Sequence, residues 1–278
     1  MSQTFTRTGL RLGAALAAVG LVAGGLLVSS GGTATAQSTV VLDHFLCYQA
    51  RVAGPAVPQG IALVNLIQPK PFSPTFGAAT THCNPANKSV PAALFKAQNP
   101  LAHLLCWSLT FRLGPATVLV TNQFGKAVMR TGAPNKLCVP SWKDNITYPG
   151  AVVGAEPPGL DHFTCYPLVE LAASYGFNPP VVVKAEDEFS APRYVPLKLG
   201  LANQLCVPTV KILPTGFTFP TQGPNDPNLV CFPTSPTPIW KAVFDSNQFG
   251  NETVVPNRIH EEFCLPSTLS LQSPPPAG

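Results

Sequence analysis

The chain has 278 residues, a formal net charge of +4, 11% charged residues and 45% hydrophobic residues. This weak positive charge excludes a nucleic-acid-binding protein, which needs a strongly basic surface. The 32 prolines, together with the lack of any sustained helical pattern of hydrophobic residues, exclude a predominantly helical protein.

Residues 1–36 have the features of a secretory signal peptide. Arg7 and Arg11 precede an apolar run, and Ala34-Thr35-Ala36 provides a cleavage site. The run is rich in Gly and Ala and shorter than the roughly 20 strongly apolar residues of a membrane span. We expect cleavage after Ala36, which lowers the formal charge to +2. The product would have no transmembrane span and would be secreted or lie at the exterior of the cell envelope.

The remaining chain contains four units that share one pattern. Each begins with a strand-like segment around an opening cysteine (HFLCY, HLLCW, HFTCY, NLVCF) and ends with a closing cysteine that is followed two residues later by proline. Such self-similarity predicts an internal repeat. We number the units 1 to 4, and their opening and closing cysteines are Cys47 and Cys83, Cys106 and Cys138, Cys165 and Cys206, and Cys231 and Cys264.

The units form two similar pairs. Corresponding cysteines of the two pairs are 118 to 126 residues apart, and a Pro/Gly-rich segment from Pro149 to Pro158 separates the pairs. β-Branched runs such as Ala116 to Phe124 predict strands. We therefore predict an all-β protein with two tandem, disulfide-stapled antiparallel β domains, residues 37–148 and 149–278, the second ending in a short Pro-rich tail. Each domain would be a pair of similar units, and the sequence leaves open whether it closes as a sandwich or as a barrel.

All eight cysteines are predicted to form disulfides, because an even number of cysteines in an exported chain is typical of a disulfide framework. One bridge within each unit is the simplest of the 105 possible connectivities. A nested arrangement, which joins Cys47 to Cys138 and Cys83 to Cys106 in the first half, also respects the duplication and remains open. Either arrangement would contribute on the order of 2 to 4 kcal/mol per bridge.

A histidine lies three residues before the opening cysteine in units 1 to 3, and Asn228 takes its place in unit 4. Asparagine is a poor transition-metal ligand and no proton shuttle, so we expect this position to bind neighbouring backbone. No two cysteines are closer than 23 residues, which is unlike the short ligand clusters of zinc sites. We predict neither a metal nor a cofactor. The three histidines are His44, His103 and His162.

An Asn/Asp-Gln/Glu-Phe trio recurs in units 2 to 4 and predicts a strand that runs into a turn, with the phenylalanine in the core. Phe72 is the expected counterpart in unit 1. The trios are Asn122-Gln123-Phe124, Asp187-Glu188-Phe189 and Asn247-Gln248-Phe249.

Two further recurring positions are interpreted as structural. The aromatic residue after each opening cysteine is expected to pack in the core against the disulfide; these residues are Tyr48, Trp107, Tyr166 and Phe232. The residue five positions after each closing cysteine is expected at a solvated strand end; these residues are Lys88, Lys143, Lys211 and Leu269.

The segments LDHFLCY, TNQFG, KLCVPSWK, LDHFTCY, NQLCVPTVK and SNQFG together resemble an uncharacterised family of exported bacterial proteins with paired DHFxCY, NQFG and LCVPS repeats. The resemblance covers essentially the whole mature chain. It implies secretion and a repeated disulfide β module, and it implies no activity, substrate or cofactor. The chain departs from the pattern in unit 1, where QPKPF replaces NQFG, and in unit 4, which lacks the histidine and the lysine.

No catalytic sequence motif is present, and the acidic run Glu186-Asp187-Glu188 is interpreted as a solvated strand end and not as a calcium site. We therefore expect a secreted noncatalytic repeat module with a binding or structural role at the cell exterior. Its partner would be an extracellular polymer or protein. The alternative is a secreted hydrolase with acidic and histidine residues between the two halves.

Overall fold

The computed structural model describes residues 41–54, 56–91, 93–145, 159–180, 182–221, 226–235 and 242–272. The predicted signal peptide and the predicted domain boundary between residues 148 and 149 lie outside this part of the chain. Both therefore stay predictions. The side chains of residues 143–145, 170–175 and 257–261 are not part of the description that follows.

All regular structure in the described residues is β-strand, and every strand ladder is antiparallel, which confirms the predicted all-β class. No helix in the described residues is long and apolar enough to cross a membrane. The strands are β1 (His44–Ala53), β2 (Ala62–Asn65), β3 (Thr75–Val90), β4 (Ala93–Phe95), β5 (His103–Thr110), β6 (Thr117–Asn122), β7 (Gly125–Thr131), β8 (Lys136–Asn145), β9 (Phe163–Tyr175), β10 (Val182–Glu186), β11 (Val195–Lys198), β12 (Gln204–Ile212), β13 (Thr218–Phe219), β14 (Asn228–Pro233), β15 (Val243–Asn247) and β16 (Gly250–Leu271).

Eight of these strands form a closed ring. In order they are β1, β3, β5, β8, β9, β12, β14 and β16, and β16 pairs back onto β1. These are the opening and closing strands of the four units, and each carries one cysteine. Closure leaves none of the eight with an unpaired edge within the ring, which suits a chain with few charged residues to protect such edges. Of the two closures that the sequence left open, the ring is barrel-like.

The cysteines fill the inside of the ring as four disulfides. The bridges join the two cysteines of each unit, with Cα atoms 3.9 to 4.0 Å apart, and the nested arrangement does not occur. Neighbouring bridges also touch, since Cys47 Sγ lies 3.8 Å from Cys264 Sγ and Cys138 Sγ lies 3.7 Å from Cys165 Sγ. They leave a space of only about 10 Å³. The interior is therefore a packed core and not a channel.

The proline after each closing cysteine belongs to the same interior face, because residues two apart on a strand point to the same side. Pro85 lies opposite Phe45, and Pro140 lies opposite Leu104. The recurring Cys-x-Pro spacing thus places a proline next to each disulfide along the closing strand; Pro85 and Pro140 are buried, and Pro208 and Pro266 are half-buried.

The outer face of the ring is covered by shorter strands that are exchanged between units. In each case a covering strand pairs with the closing strand of the unit two places along: β2 with β12, β6 with β16, β10 with β3 and β15 with β8. The four aromatic residues that follow the opening cysteines are buried under this cover. They are core residues as predicted, but they lie on the face of the strand opposite to the disulfide.

This exchange links the two halves of the chain in both directions. Strands β2 and β6 from the first half pair with strands of the second half, and β10 and β15 pair in the reverse direction. The described residues accordingly belong to one compact unit. In the described residues the two predicted domains therefore share one continuous sheet.

Candidate functional site

Each unit contains one turn in which an Asn or Asp side chain accepts a hydrogen bond from the backbone two residues later. The oxygen-to-nitrogen distances are 3.0 Å at Asn65, 2.8 Å at Asn122, 3.0 Å at Asp187 and 2.8 Å at Asn247. Such side-chain turns stabilise the chain reversal. The prediction that Phe72 is the unit 1 counterpart was wrong, because Asn65 makes this turn and Ile67 takes the place of the phenylalanine.

The residue that follows the turn Asn or Asp of one unit lies against the preceding unit in the ring. In that preceding unit it lies next to two recurring residues: the one three positions before the opening cysteine and the one five positions after the closing cysteine. We call these four meeting points junctions 1 to 4; junction 1 joins units 1 and 2, and junction 4 joins units 4 and 1. The recurring sequence positions therefore converge between neighbouring units.

Junction 1 contains His44, Lys88 and Gln123. Gln123 Nε2 lies 3.3 Å from His44 Nε2, and Lys88 Nζ contacts Gln123 Oε1. Lys88 Nζ also lies 4.0 Å from the centre of the Phe95 ring. Burial lowers the pKa of Lys88 to about 8, and burial together with nearby Lys88 lowers the pKa of His44 to about 3. His44 is thus a neutral imidazole at physiological pH.

Junction 3 contains the same three residue types. His162 Nε2 lies 2.7 Å from Gln248 Nε2, and Lys211 Nζ lies 3.9 Å from the centre of the Phe219 ring and 4.9 Å from that of Phe249. Burial and Lys211 lower the pKa of His162 to about 3. Both clusters therefore hold a buried lysine between aromatic rings, beside a neutral histidine.

Junction 2 has a glutamate where the other two have glutamine. His103 Nε2 lies 3.6 Å from Glu188 Oε2, and His103 Nδ1 lies 3.2 Å from Asn84 Oδ1. The Lys143 side chain is outside the described part. Each of the three histidines contacts a side chain of the next unit, which the prediction of backbone contacts did not include.

The lysine prediction also needs correction. Lys88 and Lys211 have no exposed surface, although both were expected at solvated strand ends. The reason is that aromatic rings lie over both amines, and one ring in each case, Phe124 for Lys88 and Phe249 for Lys211, comes from the next unit. Only the spatial order of the units explains this burial, and spacing within one unit does not reveal that order.

Junction 4 is a pocket. The three equivalent positions are Asn228, Leu269 and Leu66, and all three line a pocket of about 440 Å³. Asn228 is only 6% exposed, and its Oδ1 has no hydrogen-bond partner among the described residues. Its Nδ2 donates a long hydrogen bond of 3.5 Å to Ser267 O. The side chains that fill the other junctions are therefore replaced here by shorter or apolar ones.

The walls of this pocket are mainly apolar. The described lining includes one ionisable residue, Asp226, and neither lysine, arginine nor histidine. The buried Asn228 Oδ1 supplies a hydrogen-bond acceptor. The full described lining is Val64, Asn65, Leu66, Val207, Pro208, Val210, Thr221, Asp226, Pro227, Asn228, Thr268 and Leu269.

Besides the pair His103–Glu188 at junction 2, a second histidine–acid pair lies away from the pocket and is fully buried. His82 Nδ1 is 3.1 Å from Asp245 Oδ2, and both side chains have 0% exposed surface. The pair continues through Asn84, which contacts His82 and donates to Asp187 at 2.7 Å. A substrate cannot reach this pair in the observed conformation, so its arrangement favours a structural role.

Asp187 is part of the same network and corrects the interpretation of the acidic run. It is 4% exposed and accepts a hydrogen bond of 2.7 Å from Tyr48 Oη. At the equivalent place, Tyr166 Oη donates to Asn65 at 3.1 Å. Asp187 is therefore a buried turn residue and not a solvated carboxylate.

One group of potential metal ligands is brought together by the fold. It consists of Cys231, Cys264 and Glu262. The two cysteines are bonded to each other, so neither supplies the thiolate that a metal would need. This group therefore gives no support for a metal site.

Comparisons of the chain with protein-family models, curated proteins and solved structures find no match. The function must therefore be argued from the junctions. Three of them are occupied by polar or charged side chains of the chain itself, and the fourth contains the pocket.

Proposed function

We propose that the protein is a secreted, noncatalytic repeat module that binds a ligand in the pocket at junction 4. The observation that carries this proposal is the joint replacement of His, Lys and Gln or Glu by Asn228, Leu269 and Leu66 at the one junction that contains this pocket. A scaffold without a ligand would gain packing energy by filling this space, as it does at junctions 1 and 3.

The proposed location rests on three supports. Four disulfides are typical of proteins in an oxidising compartment. Residues 1–36 have the sequence features of a signal peptide. The resemblance to exported proteins with paired DHFxCY and NQFG segments agrees with both.

The pocket suggests the chemistry of the ligand. Its volume of about 440 Å³ falls in the range of about 300 to 1,000 Å³ that is usual for small-ligand sites. The apolar walls favour an apolar body, and Asn228 Oδ1 favours a hydrogen-bond donor. The described lining offers no basic side chain to neutralise an anion. We therefore propose an uncharged, largely apolar group with a hydroxyl or N–H donor, either free or carried by an extracellular polymer.

The test compares two probes of equal chain length on the disulfide-intact protein. 1-Octanol offers a neutral donor and octanoate an anion, and calorimetric titration gives both dissociation constants. The variant Leu66→Gln/Asn228→His/Leu269→Lys installs the side chains of junction 1 in the pocket. We expect 1-octanol to bind more tightly than octanoate, and the variant to lose at least about tenfold in affinity, or about 1.4 kcal/mol.

The control is Leu201→Gln, which changes a residue that is 79% exposed and does not line the pocket. It should bind 1-octanol as the wild type does. Equal affinity of the wild type and the triple variant would exclude this pocket as the site. Failure of 1-octanol to bind, with no retention of the protein on extracellular glycans or envelope material, would reject the binding function.

A further inference from the structure

Three groups with complementary reactivity meet at junction 1. The Lys88 amine contacts the carboxamide oxygen of Gln123, and the carboxamide nitrogen lies 3.3 Å from the ring nitrogen Nε2 of His44. The Phe95 ring centre is 4.0 Å from Lys88 Nζ, and that of Phe124 is 5.9 Å away. A nucleophile, an acyl group and a proton acceptor thus lie side by side; the amine is buried, the histidine is half-buried and the carboxamide is exposed.

The environment favours the reactive form of each group. Lys88 has no exposed surface, and burial lowers its pKa to about 8, so part of the amine is unprotonated near neutral pH. His44 is neutral, because its pKa is lowered to about 3, and its ring carries a free lone pair. The aromatic rings of Phe95 and Phe124 lie beside the amine and hold it against the carboxamide of Gln123.

We propose that Lys88 and Gln123 condense to an intramolecular amide cross-link between β3 and the turn that joins β6 and β7. The Lys88 Nζ–Gln123 Cδ bond forms, and the Gln123 Cδ–Nε2 bond breaks. One proton of Nζ is transferred to the departing nitrogen, which lies 3.3 Å from the acceptor His44 Nε2, and this nitrogen leaves as ammonia. The step needs neither an oxidant nor a second substrate.

The repeated pattern of residues supports a common purpose for the three groups. His, Lys and Gln occur together again at junction 3, as His162, Lys211 and Gln248, and all three are replaced together at junction 4. A structural lysine would also leave a charge in a fully buried site, which is costly. Conversion to a neutral amide removes this charge and retains a hydrogen-bonding group.

The cross-link would connect units 1 and 2 through residues that are 35 positions apart in sequence. Unlike the disulfides, an amide does not open in the presence of thiols. Part of the closed ring would therefore remain joined under reducing conditions.

The test is peptide mapping of the purified protein after reduction, alkylation and digestion. We expect a branched peptide that contains both Lys88 and Gln123, with a mass lower than the sum of its two parts by one ammonia. Linear peptides with a free Lys88 amine and an intact Gln123 side chain in the wild type would overturn the proposal. This measurement needs no variant. A branched peptide that joins Lys211 to Gln248 would have a different sequence, so it can be distinguished from the one at junction 1.

Two variants test the assigned roles. Lys88→Met keeps the length of the side chain without the amine, and the branched peptide should be absent. His44→Phe keeps an aromatic ring beside Phe95 and Phe263 but has no proton acceptor, so the yield of branched peptide should fall at least severalfold. An unchanged yield in folded His44→Phe would remove His44 from the mechanism, and a branched peptide in Lys88→Met would show that another amine is joined.

Discussion

Glu252 is expected to make the stability of the protein depend on pH. It lies on β16 directly opposite Asp245 on β15 and is 1% exposed. Burial raises the pKa of Glu252 from 4.5 to about 7; the nearby Asp245 adds to the rise, and the Asn247 side chain opposes it. The folded state therefore binds this proton more tightly than the unfolded state does.

The direction and the size of the effect of pH on stability follow from this difference in pKa between the folded and unfolded states. Stability from Glu252 is fully present below about pH 4.5 and is lost as the pH rises through about 7, because the buried side chain must then ionise. At about 1.4 kcal/mol per pKa unit, the loss is roughly 3 kcal/mol. Glu252→Gln keeps the shape of the side chain and cannot ionise. We expect it to be more stable than the wild type at pH 8 by up to this amount, and nearly equal to it at pH 4.

The assay is urea unfolding at pH 4, 6 and 8 with the disulfides intact. The matched control is Glu186→Gln, which changes a partly exposed carboxyl group on β10. Its stability should follow that of the wild type across this range. If Glu252→Gln also runs parallel to the wild type from pH 4 to pH 8, the argument from the buried carboxyl pair is refuted.

Two further predictions concern the exchanged strands and the turns that they carry. Tyr48→Phe removes a hydrogen bond to the buried carboxylate of Asp187 and should lower the free energy of unfolding by about 1.5 to 3 kcal/mol. Tyr166→Phe removes the equivalent bond to the neutral Asn65 and should lower it by about 0.5 to 1.5 kcal/mol. Denaturant unfolding measures both, and equal losses would contradict the role of the charge. Residues 37–148 expressed alone should fail to unfold cooperatively, because the partners of β2 and β6 lie in the second half. A cooperatively folded monomer with both native disulfides, detected by thermal circular dichroism, would contradict the exchange.

The disulfides and the turns could be predicted from the sequence, because each of them depends on the residues of one unit alone. Four equivalent units make one bridge per unit the simplest connectivity, and the structure has these bridges. The turn at Asn122 follows from local chemistry in the same way. The unit 1 turn was missed because Leu66 and Ile67 replace the Gln-Phe that marks the other copies. Alignment of ALVN with LVTN gives the signal that would have found Asn65.

The junctions could not be predicted from the sequence, because they depend on which units become neighbours in the ring. Lys88 and Gln123 belong to different units, and only closure of the ring brings them into contact. Lys211 is buried in the same way, because Phe249 of the next unit lies over its amine, against a local pattern that is typical of a solvated strand end. The pocket combines residues of units 1, 3 and 4 that share no local motif.

The central claim is that junction 4 binds a ligand, and methyl NMR of the disulfide-intact protein tests it most directly. During addition of 1-octanol, we predict shifts of the methyl signals of the pocket residues Val64, Leu66 and Leu269, while those of Leu201 and Val255, which do not line the pocket, stay unchanged. Unchanged pocket signals, or shifts confined to methyl groups outside the pocket, would contradict the claim.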